Sequence, residues 1–177
     1  MNQTEKTIET KSIFQGRIIQ VRVDQVRLPD GRVSTREVVE HAPAVAIVAV
    51  NDQDQIVLIR QYRKPVEQQM LEIPAGIMET GELPLEAAKR ELAEETGWWG
   101  GVWKEVGSFY TAPGFTDEKI YLFMVTDMVQ GERNLDEDEF IELENVSLKT
   151  AQEYIQSGQI IDAKTIIGIQ AALLVRY

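Results

Sequence analysis

GIMETGELPLEAAKRELAEETGW, residues 76–98, decides how this chain is read. The stretch reads as a tight loop feeding a short helix. Gly76 and Gly81 bracket the loop, where glycine reaches backbone angles that other residues avoid. Pro84 suits a first helical turn, because its missing N–H would have no partner there anyway. Gly97 stands where a left-handed cap stops a helix. Leu85, Ala88 and Leu92 fall at i, i+3 and i+7, which makes one buried stripe. At about 100° per residue, Glu95 lies about 40° from Glu91, and Glu94 about 60° the other way. Three carboxylates therefore sit at the rim of the core. A like-charged i,i+4 pair costs an isolated helix about 0.2–0.5 kcal/mol, and Glu94 and Glu95 also face the negative end of the helix dipole. Two readings stand: a solvated acidic face, or a seat for a hard divalent cation, which prefers carboxylate oxygen.

The rest of the chain sets bounds on the function. Its 177 residues suffice for one domain with a proper core. Cysteine is absent, so no disulfide framework exists, which suits a reducing cytoplasm. The N-terminus lacks the basic-then-apolar pattern of a secretory signal, and no apolar run is long enough for a membrane span. Net charge is −11. A broad basic surface for nucleic acid is thereby excluded. An acidic protein acting on an anionic substrate needs intervening cations.

In chain order, residues 1–10 are polar and read as loose. Apolar residues then recur from Ser12 to Leu28, with strand alternation around Val21 and Val23. Pro29-Asp30-Gly31 turns the chain, and residues 36–40 return as the second strand of a hairpin. Residues 44–50, AVAIVAV, form a continuous apolar run, as in a strand covered on both faces. Residues 55–60 and 71–74 follow as extended segments before the helix. Strands are expected at 102–110, 120–126 and 140–146, with an acidic loop, NLDEDE, at 134–139. Ser147 and Gly158 bound one helix, and Asp162 opens a last one over 163–175. This order is α+β, with one mixed sheet between helices.

Gly76, five residues, Glu82, seven residues, Arg90-Glu91-Leu92, one residue, Glu94-Glu95, one residue, Gly97 and an apolar residue: this spacing resembles the Nudix box of the Nudix hydrolases. Trp98 is the loose fit, where a smaller aliphatic residue is usual. The resemblance implies an α/β/α sandwich with a mixed central sheet plus an N-terminal antiparallel hairpin. It also implies a loop–helix–loop that holds Mg2+ or Mn2+, two or three ions, for hydrolysis of a diphosphate. The implied metal ligands are Glu91, Glu95, Glu139 and the Ala75 carbonyl. Arg90 orients the glutamates, Glu94 belongs with it in the catalytic set, and Glu82 is an outer support.

Outside the box, the TAPGFTDE loop with Pro113, and the stretches REVVEH (36–41), RQYRKP (60–65), LEIPAG (71–76) and LDEDEFIEL (135–143), resemble the ADP-ribose pyrophosphatase branch. That branch implies hydrolysis of ADP-ribose to AMP and ribose 5-phosphate. The substrate-binding candidates it brings are Arg36, Glu37, Arg63, Ile77, Pro113, Gly114, Phe115 and Glu118. Each has a plain structural alternative: Arg63 as a solvated arginine, Arg36 and Glu37 as an exposed strand pair, Phe115 as a loop anchor, Glu118 as a strand cap. His41, the one histidine, is given no catalytic role. Residues 136–139 read on composition as a solvated turn. The branch implies instead that Glu137 is the base and Glu139 a further metal ligand, and the two could exchange. Residues 1–41 are expected to form strands that similar enzymes exchange in a homodimer, with residues 42–177 as the hydrolase domain. A cytoplasmic enzyme with no membrane or nucleic-acid partner follows from these expectations. The alternatives are a nucleotide-sensing module without activity, or a hydrolase preferring another nucleoside diphosphate sugar.

Overall fold

In the N-terminal segment, backbone pairing does what apolar content does not. The computed structural model describes residues 3–135 and 140–175. They divide into two units, residues 3–43 with 109–119, and residues 44–108 with 120–135 and 140–175.

The first unit holds an antiparallel sheet of β1 (Lys6–Gln15), β2 (Ile19–Arg27) and β3 (Val33–His41), in the order β1-β2-β3. The expectation of a loose segment over residues 1–10 is therefore corrected from Lys6 onward. Every residue of β1 is exposed, so hydrophobic patterning could not reveal it. The strand is held by its ladder to β2, from Lys6 opposite Arg27 to Gln15 opposite Gln20. Thr10 Oγ1 adds a 2.8 Å bond to the buried Asp24, which Arg22 also pairs at 2.8 Å. Within the stretch from Ser12 to Leu28, where apolar residues recur, the chain turns at Gly16 between β1 and β2, and the Gly16 N–H donates to the Ile19 carbonyl at 2.9 Å. The expected hairpin thus has a third strand. Residues 111–118 lie along β3. Val39 N–H donates to the Phe115 carbonyl at 2.8 Å, and His41 N–H to Asp117 Oδ1 at 2.9 Å.

The second unit is built on β4 (Ala44–Ala49), which is wholly buried. It continues through β5 (Gln55–Arg63), a 3-10 turn over Lys64–Val66, β6 (Gln68–Glu72), β7 (Ala75–Ile77) and α1 (Pro84–Thr96). β8 (Trp98–Tyr110), β9 (Lys119–Gln130), β10 (Glu142–Ser147), α2 (Leu148–Ser157) and α3 (Ala163–Val175) complete the chain. One sheet has the order β7-β4-β9-β8, with β4 antiparallel to β7 and parallel to β9, so it is mixed. The other is antiparallel, β10-β5-β6. Alternation along β4 explains the layering. Val45, Ile47 and Ala49 join a core with Ala87, Ala88 and Leu92 of α1. Val48 faces the other way, and a Cβ on Gly168 of α3 would come within 2.8 Å of its Cγ2. Helices thus cover both faces of β4, the α/β/α arrangement.

The α1 boundaries match the sequence reading. Pro84 is in the first turn, and Gly97 caps the end at φ 75° with its N–H on the Ala93 carbonyl. Ala88 and Leu92 are fully buried, whereas Leu85 is only partly so. Trp98 fills the core beside them and starts β8 four residues before the expected strand. The glycine pair 100–101 hid this. A Cβ on Gly101 would lie 2.4 Å from the Thr126 carbonyl, so this glycine marks strand crowding and not a break. Among the described residues no helix is long and apolar enough to cross a membrane.

Candidate active site

Arg90 is the hub of the α1 site. Its Nε and Nη2 reach the two carboxylate oxygens of Glu82, each at 3.0 Å. Nη1 donates to Glu91 at 2.7 Å and to Glu94 at 3.0 Å, and Nη2 also reaches the Ile77 carbonyl at 3.2 Å. One guanidinium thus ties the loop before α1 to two carboxylates of the helix. The bonds to Glu82 push Arg90 above its ordinary pKa; burial opposes this, and Glu91 and Glu94 add to it. The Glu82 carboxyl is held below its ordinary value by Arg90 first and by the Glu79 amide second. The expected roles of Arg90 and Glu82 therefore have a geometric counterpart.

Glu91 lies directly over the backbone of Gly76. A Cβ there would meet the Glu91 Cδ at 2.0 Å and both carboxylate oxygens at 2.2 Å. The sequence reading asked for glycine at 76 because of an unusual backbone angle. The structure corrects the reason: Gly76 is not among the positive-φ glycines, and the absent side chain makes room for Glu91. Gly81, at φ 82°, is the one that turns the loop. Glu95 is 3% exposed and accepts the Ala75 N–H at 3.1 Å. Ala75, Gly76, Ile77, Arg90, Glu91, Glu94 and Glu95 are thereby brought together where β7 meets α1.

This donor set fits a hard cation. Glu82, Glu91 and Glu94 share one guanidinium, an excess of negative charge, and every candidate ligand offers oxygen. Among the described residues no three acidic, histidine or cysteine side chains converge as a complete cage. The carboxylates of Glu91 and Glu95 are turned to Arg90 and to the Ala75 amide. Glu137 and Glu139 lie outside the described residues.

Arg63 is not the solvated arginine of the plain alternative. It forks onto Glu72, Nε to Oε1 at 2.8 Å and Nη2 to Oε2 at 2.7 Å. Glu72 is 1% exposed and also contacts Lys164. Burial pushes the Glu72 carboxyl up, but Arg63 and Lys164 together hold it below its ordinary value. Arg63 is raised, by Glu72 first and against burial, with the charges of Glu95 and Asp162 adding to it. Sequence reasoning missed Glu72 and Lys164. The available signal was a charged residue between the apolar Leu71 and Ile73, at the end of β6.

The other candidates lie in the first unit. Arg36 pairs with Glu5, Nε to Oε2 at 2.9 Å, which raises its pKa. Glu37 sits opposite Val23 in the β2–β3 ladder. In the loop with Pro113 and Gly114, Phe115 is 57% exposed, which does not fit a buried loop anchor. Glu118 accepts a 2.6 Å bond from Thr111 Oγ1 and lies 3.8 Å from His41 Nδ1.

Comparison with known proteins agrees with this geometry. The family described as NUDIX domain matches residues 40–165, and the nucleoside diphosphate sugar hydrolase N-terminal domain matches residues 5–39. The chain is 44% identical to an ADP-ribose pyrophosphatase of Bacillus subtilis (strain 168), over 94% of this chain and 91% of that protein. It is 46% identical, over the same shares, to a methanol dehydrogenase activator of Bacillus methanolicus. A crystal structure titled ADP compounds hydrolase superposes with a TM-score of 0.86 over 96% of this chain and 92% of that one. At 22% identity, that likeness speaks for the fold. A helix with its carboxylates gathered on one arginine and seated on a glycine, inside a matching domain, has one reading: the chain belongs to the Nudix hydrolase family.

Proposed function

We propose that this enzyme hydrolyses the diphosphate of ADP-ribose, giving AMP and ribose 5-phosphate. The observation that carries the chemistry is the seating of Glu91 over Gly76 beside Glu94, Glu95 and Arg90. The substrate is supported by the 44% identity to an ADP-ribose pyrophosphatase over nearly the whole chain. Glu91, Glu95, Glu139 and the Ala75 carbonyl hold Mg2+ or Mn2+, two or three ions. Bound there, these cations neutralise the diphosphate oxygens and ease deprotonation of water. Glu137 takes the proton from the attacking water, with Glu139 the other candidate for that step. Arg90 holds Glu91 and Glu94 in place. Arg63 offers donors to a phosphate oxygen, and Ile77 contacts the substrate. Arg36 and Glu37 hold the adenosine part, while Pro113, Gly114, Phe115 and Glu118 shape the ribose pocket. The protein acts in the cytoplasm as a homodimer through residues 1–41, with residues 42–177 as the hydrolase domain. The test is turnover on ADP-ribose, ADP-glucose, GDP-mannose, NADH and a nucleoside triphosphate with Mg2+. Preference for ADP-ribose with AMP as product supports the reading. Preference for another member keeps the box chemistry and removes the pocket assignments. Tight binding without turnover makes the protein a sensor.

A second reading is favoured by the relative named a methanol dehydrogenase activator. Adding the chain to a methanol dehydrogenase and following alcohol oxidation tests it.

A further inference from the structure

A partly buried four-charge cluster, centred on the buried Glu72, joins the start of α3 to the strands that carry the site. Arg63 and Lys164 supply its cations, and Glu72 and Asp162 its anions. Glu72 is shared: Oε1 takes Arg63 Nε, and Oε2 takes both Arg63 Nη2 and Lys164 Nζ. Lys164 Nζ also lies 3.1 Å from Asp162 Oδ2, and the lysine side chain is only 12% exposed. Asp162 caps α3 by accepting from the Thr165 N–H at 2.9 Å and from Thr165 Oγ1 at 2.6 Å. Thr165 Oγ1 in turn accepts the Ile73 N–H at 2.9 Å, two residues before Ala75. The α3 terminus therefore touches the supports of both Arg63 and the β7 backbone.

A carboxylate paired only with Arg63 would cancel most of that guanidinium's charge. Because Lys164 shares Glu72, the cancellation is divided between two cations. Asp162 works in the opposite sense by drawing on Lys164. The balance of the four charges sets how much positive field Arg63 presents on its remaining edge, where the side chain is 39% exposed.

We propose that Lys164 and Asp162 are positioning residues of opposite sign for substrate binding, acting through Glu72 on Arg63. This rests on Arg63 being a phosphate contact, as in the function proposed above. Lys164 and Asp162 touch no reacting atom, so their effect falls on KM and not on kcat.

The test is steady-state AMP release by the full chain, with melting followed in parallel. Lys164→Met keeps the bulk and removes the charge. It raises KM for ADP-ribose on the order of tenfold, the scale of one unit charge acting through partly buried protein, with kcat within about twofold. Asp162→Asn keeps a capping oxygen for α3 and lowers KM. A purely structural cluster would not give shifts of opposite sign, because both changes would then simply destabilise the chain. Unchanged KM in folded Lys164→Met, or a raised KM in both variants, overturns the inference. If Lys164→Met does not fold, Asp162→Asn alone decides: a raised or unchanged KM refutes it. Wild-type turnover separates the two layers. If the wild type does not cleave ADP-ribose, the functional reading fails first, and the same variants are then measured on the panel diphosphate that it does cleave.

Discussion

Gly76→Ala separates the site from the fold more sharply than any other single change. The new Cβ would stand 2.0 Å from Glu91 Cδ, and ordinary contact begins at 3.4 Å, so the carboxylate must retreat by about 1.4 Å. That shift disturbs the 2.7 Å bond from Arg90 and moves a proposed cation ligand. Misplacement on the 1 Å scale costs about 100-fold in rate, which is about 2.7 kcal/mol of transition-state stabilisation. The fold has little to lose. The clashing atoms are the end of a flexible side chain, and Gly76 is not among the positive-φ residues. Alanine also restricts the unfolded chain, which offsets part of any strain by about 0.4–1 kcal/mol. The expected outcome is a Tm within about 2–4 °C of wild type, with kcat/KM for AMP release down about 100-fold and a higher Mg2+ requirement. Full activity with an unchanged Mg2+ requirement would refute the seating of Glu91. Lost activity with a Tm more than about 10 °C lower would also refute it, because the clash would then have reached the backbone.

Three further outcomes follow from the same geometry. Arg90→Ala leaves three carboxylates without their shared cation; allowing for its 27% exposure, the loss is about 2 kcal/mol, read as a Tm lower by about 4–8 °C, and an unchanged Tm contradicts the hub. Glu72 and Glu82 are both held below the ordinary glutamate value of 4.5. As pH falls through that value the unfolded chain takes up more protons than the folded one, so their contribution is complete above it and is lost below it, through the lower folded values. Thermal melts should therefore fall in Tm on acidification through that range, less steeply in Glu82→Gln, and equal slopes would remove Glu82 from the account. Glu137→Gln should cut turnover by at least about 100-fold with Mg2+ affinity kept; near-normal activity moves the base to Glu139 or into the box.

The α1 element was legible because its signals are local. Pro84, Gly97 and the Ala88–Leu92 stripe act within one helix, and each stands where the sequence placed it. Arg90 and Glu82 were legible for a related reason: the box spacing brings them together across a single loop. β1 was not legible, since its ten exposed residues are held by a ladder to β2, and pairing partners leave no mark on periodicity. Arg63 shows the same limit at longer range. Its partner Glu72 comes from the neighbouring strand and Lys164 from a helix near the C-terminus, so no spacing rule links them. Gly76 was recognised as special, but a clash with a side chain fifteen residues later shows only in three dimensions.

The central claim is that the carboxylates of α1 carry cation-dependent cleavage of ADP-ribose. Its most direct test is AMP release by wild type and by Glu91→Gln, side by side, across a Mg2+ titration. The account predicts AMP from wild type only when Mg2+ is present, and a loss of at least about 100-fold in Glu91→Gln at every Mg2+ concentration. Full Mg2+-dependent turnover by Glu91→Gln would contradict it.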